Sequence, residues 1–104
     1  MKEYWSRILA FNNQFFPDWR KVPSIYYSNA LAGEVGELCN AVKHLAGGGT
    51  HHTKPNLEQL AEELADAFIY LVLLAESLAI NYDNFEVGFD FKMQKNRERM
   101  EDKP

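Results

Sequence analysis

Residues 57–80 read LEQLAEELADAFIYLVLLAESLAI, and this stretch decides the fold. Leu57, Leu60, Leu64, Phe68, Leu71 and Ala75 recur at three- and four-residue spacing, the stripe of a helix with 3.6 residues per turn. Beyond Asp66, residues 67–75 are apolar around nearly the whole helix circumference, and a helix without a polar face is covered on every side. A chain of 104 residues cannot easily wrap both faces of such a helix. The side carrying Ile69 and Leu73 is therefore predicted to pack on another subunit. Just ahead of the stretch, Asn56 can cap the helix while Gln59 reaches back to it.

The neighbouring segments are helical as well. Residues 4–16 place Trp5, Ile8, Leu9, Phe11, Phe15 and Phe16 at mixed three- and four-residue spacing, ending before Pro17. Residues 24–45 carry Leu31, Val35, Leu38, Val42 and Leu45 on one stripe, closed by Gly47, Gly48 and Gly49. The connector 47–55, with His51 and His52, lacks the strand, loop and helix setting of a phosphate-binding P-loop and reads as a flexible link. Asp83 with Glu86 three residues on resembles a capping box, opening a last helix that runs to about Met100. No strand-like alternation appears. The expected fold is all-α: one domain over residues 1–104, an antiparallel bundle of about four helices that oligomerises through the third.

Composition supports an ordinary soluble domain, 46% hydrophobic and 25% charged. The net charge is −4 and the basic residues gather near the ends, chiefly between Lys92 and Lys103, which argues against nucleic-acid binding. No apolar run approaches membrane-spanning length and the first residues lack the apolar core of a signal peptide. Cys39, the sole cysteine, lies in apolar helix sequence and is expected to be a buried thiol in a reducing compartment. A cytoplasmic protein with no membrane partner is the expectation.

Chemistry is concentrated in two pairs of carboxylates, Glu34-x-x-Glu37 and Glu63-x-x-Asp66. Three-residue spacing puts both members of a pair on one side of a helix, about one turn apart. Glu34 falls about 60° from the centre of its apolar stripe, at the edge of the bundle interior. Glu63 and Asp66 lie roughly 100° and 160° from theirs. Neither pair has a basic residue four positions on, where a helix-stabilising partner would stand: those positions hold Leu38, Ala41, Ala67 and Tyr70. Convergent carboxylates without cations repel and are costly to desolvate, and an oxygen-only donor set suits Mg²⁺, Mn²⁺ or Ca²⁺. A carboxylate-bridged di-iron site would need Glu-x-x-His pairs, which the chain lacks.

Taken in order, residues 30–38 (ALAGEVGEL), 62–70 (EELADAFIY) and 92–99 (KMQKNRER) resemble the MazG-like all-α nucleoside triphosphate pyrophosphohydrolases. The resemblance covers roughly residues 27–100. It implies a Mg²⁺-dependent enzyme, with Mn²⁺ a substitute, that cleaves a nucleoside triphosphate between the α and β phosphates. It also implies that Glu34, Glu37, Glu63 and Asp66 hold the metal, with Glu37 preferred over Glu34 to take the proton of the attacking water. Tyr70 matches a nucleotide-contacting tyrosine, and Lys92, Lys95, Asn96 and Arg99 match a phosphate-binding tail. His44 falls where some relatives place a base-contacting residue. A homodimer or tetramer engaged in nucleotide-pool house-cleaning completes the expectation. The rival readings are a phosphoribosyl-ATP pyrophosphohydrolase and a non-enzymatic helical interaction module.

Overall fold

The computed structural model describes residues 1–45 and 55–103. The glycine run 47–49 and His51 and His52, read from sequence as a connector, lie outside the described residues. Four α-helices and no strand occur among the described residues: α1 Lys2–Phe15, α2 Ser24–Leu45, α3 Leu57–Ser77 and α4 Tyr82–Glu101. A short 3-10 turn, Trp19–Lys21, joins α1 to α2.

Local sequence sets these ends. At α3 the Asn56 side chain accepts from the Gln59 amide at 2.8 Å and the Gln59 side chain accepts from the Asn56 amide at 3.0 Å, the predicted reciprocal cap. At α4 the cap lies two residues before the predicted one: Asn81 and Asn84 form the reciprocal pair, not Asp83 and Glu86. The turn before it explains the shift. Ile80 donates its amide to the carbonyl of Ala75 and Ala79 donates to that of Glu76, closing α3 with Ala79 at φ 61°. This is a Schellman closure with alanine where glycine is usual, so the chain is free to restart at Asn81.

The α2 and α3 helices form the main pairing, and they run antiparallel. Ser24 Oγ at the start of α2 donates to the carbonyl of Ser77 at the end of α3. Further along, Tyr27 clusters with Leu73, and Glu37 meets Glu63. The core lies at the Ser77 end. There Trp19, Tyr27 and Leu73 are buried together, with Ile8 and Leu9 of α1 and Ile69, Tyr70 and Leu74 of α3 packed around them. Tyr27 donates its hydroxyl to the Trp19 carbonyl at 2.6 Å. Trp5 donates Nε1 to Glu76 at 2.8 Å, and Arg20 pairs with the other carboxylate oxygen at 3.2 Å.

Three further expectations need correction. The predicted core stripe of α3 is largely open, Leu57 being 80% and Leu64 57% exposed, whereas Leu73 is 4% exposed and Ile69 packs in the core. The chain's own α1 and the 3-10 turn cover the face that sequence reading assigned to another subunit. Because α3 is apolar on nearly every side, periodicity alone does not say which side the chain covers. Secondly, the bundle is not closed within one chain. Tyr82 meets Trp5 edge-on and Phe85 lies tilted against it, but α4 buries no residue of its own and makes no extended packing with α2 or α3. Cys39 also departs from expectation, being exposed on α2.

Leu73→Ala should lower stability by about 2–5 kcal/mol in urea denaturation, the cost of a buried leucine truncated in a packed site. Ala79→Gly should raise it by about 1 kcal/mol, because the left-handed backbone strains any side chain.

Candidate functional site

The antiparallel seam brings the acidic residues of α2 and α3 face to face. One carboxylate oxygen from each of Glu34, Glu37 and Glu63 lies within 4.8 Å of the others. Glu34 and Glu63 are half-buried and Glu37 is open to solvent. Asp66 is exposed one turn beyond Glu63, close enough to Glu34 to act on its charge. Three of the four predicted ligands therefore converge and the fourth stands at the edge.

The electrostatics are unbalanced. Desolvation pushes the Glu34 carboxyl above its ordinary range, and the negative charges of Glu37, Asp66 and Glu63 push it further. The Oε2 atoms of Glu34 and Glu63 are buried without a hydrogen-bond partner among the described residues. The ion pairs found among those residues, Arg20 with Glu76 and Lys21 with Asp18, do not involve the cluster. Three carboxylates whose oxygens approach within 4.8 Å, with no ion pair to any of them among the described residues, fit a hard divalent ion with oxygen ligands.

The other predicted residues are distributed unevenly. Tyr70, one turn past Asp66, packs against the Trp19, Tyr27 and Leu73 core and opens on two recesses. One, of ≈440 Å³, is bounded by Phe16, Trp19, Tyr26 and Tyr27. The other is a groove of ≈860 Å³ between α1 and α3, where Tyr4, Arg7 and Phe11 face Leu64, Asp66 and Phe68. His44 is half-buried in the last turn of α2 and does not belong to the acidic cluster. Lys92, Lys95, Asn96 and Arg99 all lie on α4. Arg99 donates to Asn96 at 3.2 Å and the Lys95 ammonium stands 4.7 Å from the Phe91 ring centroid. No hydrogen bond or ion pair among the described residues joins them to the carboxylates.

Sequence reading missed the contribution of α1. Arg7, Phe11 and Phe16 reach the recesses beside Asp66 and Tyr70 without belonging to any motif. Their signal was the density of aromatic residues before Pro17, more than one helical stripe needs.

Against known proteins, the model of the MazG nucleotide pyrophosphohydrolase domain matches residues 24–102, and α1 precedes that span. No curated protein and no solved structure matches the chain.

The raised Glu34 carboxyl has a pH signature. Its ionised form opposes folding, so its contribution to stability is present below the unfolded value near 4.5 and is lost as pH rises through the higher folded value. In the presence of a chelator, Glu34→Gln should raise the melting temperature at pH 7. The gain should shrink as pH falls towards 4.5, where the wild-type carboxyl takes up a proton.

Proposed function

From the premise that the chain belongs to the MazG nucleotide pyrophosphohydrolase family, we propose that it hydrolyses nucleoside triphosphates with Mg²⁺ to the monophosphate and pyrophosphate. The observation that carries this reading is the convergence of Glu34, Glu37 and Glu63 with two orphaned oxygens. Those three carboxylates, with Asp66 at the edge, would hold the ion. Bound there, Mg²⁺ or Mn²⁺ would neutralise phosphate charge and acidify water.

The protein's own groups divide the remaining work. Glu37, the solvent-open member of the cluster, accepts the proton of the attacking water as its oxygen bonds to the α phosphorus. The bond from that phosphorus to the bridging oxygen breaks, and pyrophosphate leaves with the electron pair. Tyr70 and the aromatic recess beside it offer flat walls to the nucleoside. Lys92, Lys95, Asn96 and Arg99 supply the charge and donors that β and γ phosphates require. His44 stands at the α2 end as a further nucleotide contact. The enzyme acts as a homodimer or tetramer associating through α3, in the cytoplasm, on a nucleotide pool it keeps clean.

The test is to incubate the protein with Mg²⁺ and a panel of ordinary, deoxy and modified nucleoside triphosphates and identify the products. Monophosphate and pyrophosphate should appear in equal amounts. Glu63→Gln should lower the rate at least about 100-fold, since several kcal/mol of charge stabilisation are removed. Release of orthophosphate instead, full activity in Glu63→Gln, or turnover of phosphoribosyl-ATP alone would contradict the reading. Mg²⁺ should also raise the melting temperature, the folded state gaining about 2.7 kcal/mol at a hundred times the dissociation constant.

A further inference from the structure

Among the described residues Asn12, on α1, is the one buried side chain that is neither apolar nor aromatic, 8% exposed. It stands where the two recesses meet and lines both, together with Phe16, Tyr70 and Leu73. Its Nδ2 donates at 3.0 Å to the carbonyl of Ile8, one turn back on the same helix. Its Oδ1 accepts no hydrogen bond among the described residues. Nor is that oxygen sealed in protein, since the sealed and unpaired side-chain atoms among those residues are the Oε2 atoms of Glu34 and Glu63. A buried acceptor without a partner costs free energy, and this one opens on a space that can take a ligand.

The Ile8 carbonyl also fixes which way the amide faces. An unrestrained asparagine can turn its amide over and meet either an amine or a carbonyl. A backbone carbonyl only accepts, so turning Asn12 over would set oxygen against oxygen and lose the bond. Oxygen is therefore what Asn12 offers to the recess. The donors nearby are already engaged: Trp19 gives its indole N–H to Asn13 Oδ1 at 2.8 Å, and Tyr27 gives its hydroxyl proton to the Trp19 carbonyl at 2.6 Å. Among the described residues no lysine, arginine or histidine lines the aromatic recess, whereas Asp18 does. The recess is thus walled by flat rings and biased towards accepting hydrogen bonds.

We propose that Asn12 selects the nucleobase, its Oδ1 accepting from the exocyclic amine of cytosine or adenine held in the recess of Trp19, Tyr27 and Tyr70. This rests on the hydrolase reading above and gives it a substrate class: nucleotides whose base carries an amine where uracil or hypoxanthine carries a carbonyl. A carbonyl at that place meets Oδ1 lone pair to lone pair and leaves both unpaired. Tyr70 stands about one turn from Asp66 and about two turns from Glu63 along α3. A nucleotide with its base beside Tyr70 can therefore lay its α phosphate towards the carboxylates. Asn12 precedes the family span of residues 24–102, so the selecting group comes from a segment of this chain outside that match.

Pairs of nucleotides of equal shape test the selection. With Mg²⁺, kcat/KM for dCTP should exceed that for dUTP at least about tenfold, and dATP should exceed deoxyinosine triphosphate likewise, because a site that hydrogen-bonds one group rejects the analogue that leaves it unpaired. Asn12→Thr keeps a hydroxyl that can donate to the Ile8 carbonyl while removing the amide oxygen. Asn12→Leu, close in size and without polar atoms, is the second variant. Either should bring both ratios to within about twofold of unity, with helical circular dichroism retained and the loss falling on KM for dCTP and dATP rather than on kcat, since the base contact is made equally before and during reaction. Equal turnover within each pair by wild type, or a preference unchanged in a folded Asn12 variant, would overturn the proposal. Calorimetric titration with dCMP and dUMP in Mg²⁺ reads the same contact on ligands that have no anhydride to hydrolyse. Wild type should bind dCMP at least about tenfold more tightly than dUMP. That preference in a protein that hydrolyses no triphosphate would support the selection and sink the hydrolase reading. Hydrolysis of all four triphosphates at equal rates, with equal affinity for dCMP and dUMP, would keep the hydrolase reading and overturn the selection.

Discussion

Mutual repulsion among Glu34, Glu37 and Glu63 is the constraint around which the molecule is arranged. Their carboxylates converge because α2 and α3 run antiparallel in a fixed register, set by the Ser24–Ser77 hydrogen bond and by the packing of Tyr27 on Leu73. Stability is concentrated at one end of this hairpin, where Trp19, Tyr27, Leu73 and Trp5 are buried. Carboxylates without an ion pair among the described residues are concentrated towards the other. The core end holds the helices together, while towards the other end three carboxylates face one another across the seam.

Two acids on α3 show how environment separates roles. Glu76 receives the Trp5 indole and the Arg20 guanidinium, so its charge is satisfied and it serves as a clasp between α1, the 3-10 turn and α3. Glu63, almost four turns earlier, has a buried oxygen with no partner among the described residues. A satisfied buried carboxylate stabilises the fold, and an orphaned one calls for a ligand. The family match over residues 24–102 contains both acidic pairs.

Much of the molecule was legible in the sequence. The bounds of α2 were read as Ser24 to Leu45, as observed, and the Asn56–Gln59 cap was recognised from spacing. The acidic pairs stood out because no lysine or arginine was placed to neutralise them. What failed was assignment of faces. Leu57, Leu64 and Leu71 made the more regular stripe, yet the chain covers Ile69 and Leu73, since Trp19 and α1 fold onto that side. A helix apolar all round carries no periodic signal to choose between its two sides. The α4 cap was misplaced because Asp83 and Glu86 fit a cap pattern, while the left-handed Ala79 that ends the turn early has no sequence mark. Cys39 was expected inside because its helix is apolar, but one chain leaves it exposed.

The proposed hydrolysis requires an ion at the α2–α3 seam. Titrating Mn²⁺, a paramagnetic stand-in for Mg²⁺, into the protein and following free Mn²⁺ by electron paramagnetic resonance reads that binding without any substrate. Saturable binding by wild type that weakens at least about tenfold in both Glu34→Gln and Glu63→Gln is the predicted result, each variant removing one charged oxygen ligand. Equal affinity in wild type and both variants, or no binding by wild type, would contradict it.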